Sequence, residues 1–198
     1  MTRRRFARGD ARRRVLRAAT RLFSRQGFAA TSMGKIAAKA QASPSSIYWH
    51  FRGGKHDILL AVLDEAAETF AGRTVELVRE AANPADKLEA LFREAQRQME
   101  STPDALRLLL QMSLERADDS PEVRDRIQEI FGRYRDAIAE QLTAAVPDRA
   151  GPRAQGAAAL LLATLQGIFL QWQLDPDSVE LDSMFDQLRT SALSLALS

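Results

Sequence analysis

Three features of this 198-residue sequence predict an all-α fold of about nine helices. Apolar residues recur at helical spacing, and nowhere do β-branched residues alternate over strand length. Capping residues followed by proline, or by glycine, break that pattern repeatedly. The composition is 45% hydrophobic and 27% charged, which suits a folded soluble chain and excludes a mostly disordered one. The predicted layout is a small basic bundle followed by a larger acidic bundle, with no internal repeat.

Residues 1–10, with Arg3, Arg4, Arg5 and Arg8, lack apolar periodicity and read as a basic flexible arm. From Ala11, the residues Val15, Ala18, Ala19, Leu22 and Phe23 mark one helical face, and Gly27 ends that helix. Ser32 is the expected N-cap of a short helix through Ala40, burying Met33, Ile36, Ala37 and Ala40. Gln41 and Ala42 form a tight turn. Ser43 caps again, and Pro44 at the first helical position starts a third helix to about Phe51. Arg52, Gly53 and Gly54 interrupt the chain before a fourth helix, expected from Lys55 to about Ala82, where Asn83-Pro84 stops it. Further breaks fall at Ser101-Thr102-Pro103, Asp118 to Pro121, Pro147 to Pro152 and Asp175-Pro176. The last helix is expected from about Asp177 to Leu197.

Charge is divided along the chain. Up to Lys55 there are 14 Arg or Lys residues against one acid, Asp10; from His56 onward there are 14 basic and 25 acidic residues. The halves carry +13 and −11, leaving the +2 of the whole. A front end this cationic is suited to a polyanion, and the anionic remainder stays off it. Cysteine is absent, which removes disulfides, thiolate nucleophiles and thiolate metal sites. The N-terminus has no apolar core of a signal peptide, so a cytoplasmic protein is expected. Ala154 to Leu174 carries no charge, but its glutamines and glycines favour a helix buried in protein over one crossing a membrane.

Two short helices joined by a tight turn and braced by a preceding helix make a helix-turn-helix. The second is short enough for a major groove about 12 Å wide, and its first turn carries the small polar Ser45 and Ser46. Tyr48, Trp49 and His50 follow one turn later, each an apolar body with a polar tip. Thr31, Ser32, Lys35, Ser43, Pro44 and Lys55 complete the expected DNA-binding set, with hydroxyls and ammonium groups directed at phosphates. Ile47 and Phe51 are assigned to the core. No catalytic or metal-binding constellation appears: His50 and His56 are the two histidines, and HExxH and glycine-rich phosphate loops are absent. An enzyme is therefore not expected, nor any metal or cofactor.

At these residues the sequence resembles the tetracycline-repressor (TetR) family of bacterial transcription regulators. The resemblance runs from Ala18, Ala19, Leu22, Phe23 and Gly27-Phe28, through Thr31-Ser32 and Ile36-Ala37, to Ser43-Pro44-Ser45-Ser46-Ile47-Tyr48-Trp49-His50-Phe51. It continues through Gly54-Lys55 into Ile58-Leu59-Leu60-Ala61-Val62. Gln41 stands where that family has its turn glycine, which puts a non-glycine residue at positive φ at a cost of about 1 kcal/mol, or alters the turn. Gly53-Gly54 make the link to Lys55 one residue longer than the commoner form.

The resemblance implies a DNA-binding domain over residues 11–55 and an effector-binding and dimerisation domain over residues 56–198. It implies a ligand-responsive homodimeric regulator, most often a repressor, on a near-palindromic operator. An effector-independent nucleoid-type DNA-binding protein is the alternative. For the unidentified small-molecule effector, Met112, Tyr134, Gln166, Phe169 and Trp172 offer adaptable apolar bulk with a few polar groups. The run from Ala157 to Leu162 is apolar all round, so one face has room for a second cover. Ala157, Leu160 and Leu161, with Leu181, Met184, Phe185, Leu188, Ala192 and Leu195 of the last helix, are the expected dimer interface.

Overall fold

The computed structural model describes residues 2–72, 76, 80, 83–115, 120–145 and 151–197. Within them are nine α-helices and no strand: α1 Thr2–Gln26, α2 Met33–Ala40, α3 Pro44–His50, α4 Lys55–Ala67, α5 Pro84–Ser101, α6 Pro103–Glu115, α7 Pro121–Ala145, α8 Gly151–Leu174 and α9 Leu181–Leu197. The proline and capping signals place the starts of α2, α3, α6 and α7 where the sequence predicts them.

Two elements differ. The backbone of α1 is helical from Thr2, upstream of the predicted start at Ala11. Arginine and alanine are good helix formers, so a helix can extend here without apolar periodicity; the side chains of the arm arginines lie outside the described residues. At its other end, α4 is regular only to Ala67 and passes into a π-helical turn, Glu68–Gly72, instead of running unbroken to Ala82. Most of residues 73–82 lies outside the described set.

The chain forms two compact units that do not follow the predicted division at residue 55. The first comprises residues 1–67 and 102–128. Here α1 packs against α2, α4 and α6. Its core takes Val15, Leu16, Ala19 and Phe23 from α1, Ile36 from α2, Ile47 from α3, Ile58, Leu59 and Leu63 from α4, and Leu108 and Leu109 from α6. Full burial of each large apolar side chain stabilises the unit by about 1.5–3 kcal/mol. Of the predicted faces, only Leu22 and Met33 are half-buried.

The second unit comprises residues 68–101 and 129–198, with α9 packed against α8 and α5. Its core holds Phe70, Leu91, Phe92, Ile138, Leu142, Leu161 and Phe185. On α8, Ala154, Ala158, Leu161, Leu165 and Ile168 form the buried seam.

This packing corrects most of the expected dimer face. Ala157, Leu161, Leu181, Phe185, Leu188 and Ala192 are buried within the single chain, because α8 and α9 use their apolar stripes on the subunit core. Met184 is half-buried, Leu160 is 58% exposed, and the Leu195 side chain lies outside the described residues. The open side of α8 is instead the stripe Gly156, Leu160, Ala163, Gly167, Leu170 and Leu174, spaced four and three residues in alternation. Leu170 and Leu174 are 56% and 77% exposed. The 153–174 stretch is long and apolar enough to span a membrane by length and composition, with a mean hydropathy of 1.4; a core helix passes the same test.

Candidate nucleic-acid interface

The α1–α2 connection is built by local hydrogen bonds. Thr31 is buried; its hydroxyl donates to the Gly27 carbonyl at 2.8 Å and accepts from Gln26 Nε2 at 3.0 Å. It therefore closes the turn, and its expected role as a phosphate donor is corrected: burial and a committed hydroxyl leave nothing to present. Ser32 is the exposed N-cap of α2, accepting from the Lys35 N–H at 3.3 Å. Lys35 is exposed too, and its ammonium donates to the Ala30 carbonyl at 2.9 Å.

Gln41 adopts the left-handed conformation at φ 50° and ψ 47°. Its N–H donates to Ala38 O, and the Ala42 N–H donates to Ala37 O. Both bonds of a Schellman motif are thus made despite the absence of glycine. Two residues on, Ser43 caps α3 by accepting from the Ser46 N–H at 3.2 Å, and its hydroxyl lies 3.2 Å from that of Ser45.

The seven residues of α3 divide by periodicity. Ile47 enters the core, as does Phe51 just beyond the helix, in line with their assignment from sequence. Pro44, Ser45, Tyr48 and Trp49 face solvent, with Tyr48 51% and Trp49 60% exposed. Ser46 and His50 are half-buried, and the His50 and Trp49 rings meet edge-on at 4.7 Å. Large aromatics left this open on a short, doubly anchored helix provide stacking and hydrogen-bonding surface for a partner.

Lys55 departs from expectation. Its ammonium donates to the Phe28 carbonyl at 2.8 Å and sits 4.3 Å from the centre of the Phe28 ring. The group staples the start of α4 to the turn after α1 and is not held out toward a phosphate. The longer link preceding it is accommodated by two glycines. Gly54 takes φ 69°, and Gly53 donates its N–H to Asp57 at 2.6 Å, where a Cβ would collide with that carboxylate.

A basic surface was missed. Arg14, Arg17 and Arg21 of α1 and Lys39 of α2 line a groove of about 220 Å³ that also includes Gln41. The recurrence of arginine at i, i+3 and i+7 was the available signal.

The expected effector residues are divided between the two units. Met112 is buried in the first unit, whereas Tyr134, Gln166, Phe169 and Trp172 belong to the second. Phe169 is buried with its ring 6.3 Å from that of the half-buried Trp172. Tyr134 donates to the Phe70 carbonyl in the π-helical turn at 3.0 Å and also hydrogen-bonds Gln98. Gln98 in turn donates to Glu94 at 2.9 Å, and Glu94 pairs with Arg97. The Arg97 guanidinium is pushed above its ordinary value, chiefly by the hydrogen bond to Glu94. Sequence reasoning named Tyr134 but not Glu94 or Gln98, which look like ordinary polar residues of α5 until their burial is seen. Among the described residues, no group of three or more His, Asp or Glu is placed to hold a metal ion.

Comparison with known proteins accords with this arrangement. Residues 15–62 match the profile described as bacterial regulatory proteins, tetR family, and residues 84–196 match that of the BetI-type transcriptional repressor, C-terminal. The HTH-type transcriptional regulator LmrA of Bacillus subtilis (strain 168) is 32% identical over 96 residues, covering 48% of this chain and 51% of that protein. That match thus spans about half of the relative's length. BetI of Rhizobium meliloti (strain 1021) is 30% identical over 172 residues, covering 85% of this chain and 82% of that protein. Among solved structures, a transcriptional regulator from Saccharomonospora viridis in complex with choline has a TM-score of 0.79 at 25% identity, covering 92% of this chain and 95% of that one. With its capped, aromatic-bearing α3 and the helices described in its C-terminal region, this chain belongs to the TetR family of DNA-binding, helix-turn-helix transcription regulators.

Proposed function

We propose that the protein is a ligand-responsive homodimeric repressor that binds a near-palindromic operator in the cytoplasm. The carrying observation is α3: capped by Ser43, anchored by Ile47, and exposing Ser45, Tyr48 and Trp49 on one face. Ser45 and Ser46 face base edges, while Tyr48, Trp49 and His50 contact sugar and phosphate, with Ser32 and Lys35 on the neighbouring backbone. Residues 11–55 supply the DNA contacts, and residues 56–198 supply effector binding and dimerisation.

The dimer forms through the open stripe of α8 and its copy. Glycine and alanine at positions 156, 163 and 167 let the helices approach, and the leucines at 160, 170 and 174 interdigitate. A Cβ on Gly156 or Gly167 would meet nothing within 4 Å, so that side of the helix is open to a partner. The effector is a small organic molecule held by the C-terminal region; the structure of the Saccharomonospora viridis regulator is a complex with choline. Effector and operator binding are coupled negatively and reciprocally.

Selection of bound sites from random DNA with the purified full-length protein tests this reading. The expected result is one motif with two-fold symmetry and half-sites about 34–36 Å apart. An extended footprint on unrelated DNA with no enriched motif would overturn it.

A further inference from the structure

Among the described residues, the groove between α1 and the carboxyl end of α2 is lined by no residue of α3 and no carboxylate. Arg17, Arg21 and Lys39 on its rim are exposed, and among the described residues their side chains make no ion pair or hydrogen bond. Arg14 is used differently: its Nε donates to the Ala40 carbonyl at 3.1 Å and fixes the end of α2 against α1. That bond covers a carbonyl at the negative end of the α2 dipole, which would otherwise repel an anion. Uncompensated cations in one concavity repel one another and focus a positive potential there, which a bound anion relieves.

Shape selects the anion. Arg14, Arg17 and Arg21 share one face of α1 over about 10 Å, and successive phosphates of one DNA strand advance about 3.4 Å along the axis. Planar guanidinium forks match phosphate oxygens. Gln41, in the same groove, stands two residues before the Ser43 cap, so the groove flanks the start of the reading helix.

We propose that this groove clamps backbone phosphates of the same duplex that α3 reads, supplying affinity independent of base sequence. The proposal rests on the DNA-binding reading above. The test uses full-length protein, the duplex enriched from random DNA and an unrelated duplex of equal length, with binding followed by fluorescence anisotropy at several salt concentrations. R17Q/R21Q/K39Q is expected to weaken both duplexes by the same factor, about tenfold or more, and to flatten the salt dependence by about two to three units. The ratio between the duplexes should hold within about twofold, and R17K/R21K should keep the salt slope, because the charge remains, while losing part of the affinity with the guanidinium forks. R124Q/R133Q/R135Q, which removes equal charge from α7, should leave both affinities within about twofold.

Unchanged affinity and salt slope in R17Q/R21Q/K39Q would overturn the clamp, as would a loss confined to the enriched duplex. An equal loss in the α7 variant would also overturn it. Should the wild type enrich no motif, base reading by α3 fails, while the unrelated duplex still decides the clamp.

Discussion

Gln41 holds a conformation that costs a residue with a Cβ about 1 kcal/mol, yet it completes both hydrogen bonds of the helix-ending motif. Gln41→Gly should therefore raise stability by about 0.5–1 kcal/mol in chemical denaturation, with the gain partly offset by the freer unfolded chain. Thr31 makes the complementary case. Thr31→Val keeps the shape and deletes the bond to Gly27, so thermal unfolding should show a loss of about 1–3 kcal/mol. The salt slope of DNA binding should not change, because the hydroxyl is buried; a flatter slope would restore Thr31 to the phosphate-binding set. A positive φ at Gln41 could be foreseen from its place in the turn. The burial of Thr31 and the inward fold of Lys55 onto Phe28 could not, because a hydroxyl or ammonium beside a cap looks the same in sequence whether it turns in or out.

At the scale of elements, α3 was legible because Ser43-Pro44 and the i, i+4 pair Ile47 and Phe51 fix both its start and its buried side. Ser43→Ala should cost about 1 kcal/mol by loss of the cap, and Ser46→Ala should weaken the enriched duplex more than unrelated DNA. Equal losses by Ser46→Ala on both duplexes would assign Ser46 to the backbone. The end of α4 was not legible, since Gly72 weakens a helix without stopping it and no proline falls between Ala67 and Ala82. The π-helical turn at Glu68–Gly72 lies where Tyr134 and Gln98 take the Phe70 carbonyl, so partners distant in sequence meet the break. Tyr134→Phe removes that support and should lower stability by about 1–2 kcal/mol in denaturant titration. On α8 the apolar residues go all round, so the sequence announced two buried faces without saying which was which.

For the whole molecule, the open stripe of α8 carries the dimer reading. Leu160→Arg should give a monomer in analytical ultracentrifugation without unfolding, because the side chain is 58% exposed in the single chain. Operator affinity should then fall by about a hundredfold or more, since two half-sites no longer bind as one ligand; a variant that stays dimeric would move the interface elsewhere. The sequence by itself determined the all-helical class, most helix starts, the cationic front end and the residues α3 displays, because these depend on spacing, caps and charge along a short stretch. Only the tertiary structure decided that α6 packs with the helix-turn-helix unit, that Leu161, Phe185 and Leu188 belong to the subunit core, and that Thr31 and Lys55 are internal fastenings. Periodicity says that a face must be buried, but only packing between segments far apart in the chain says against what.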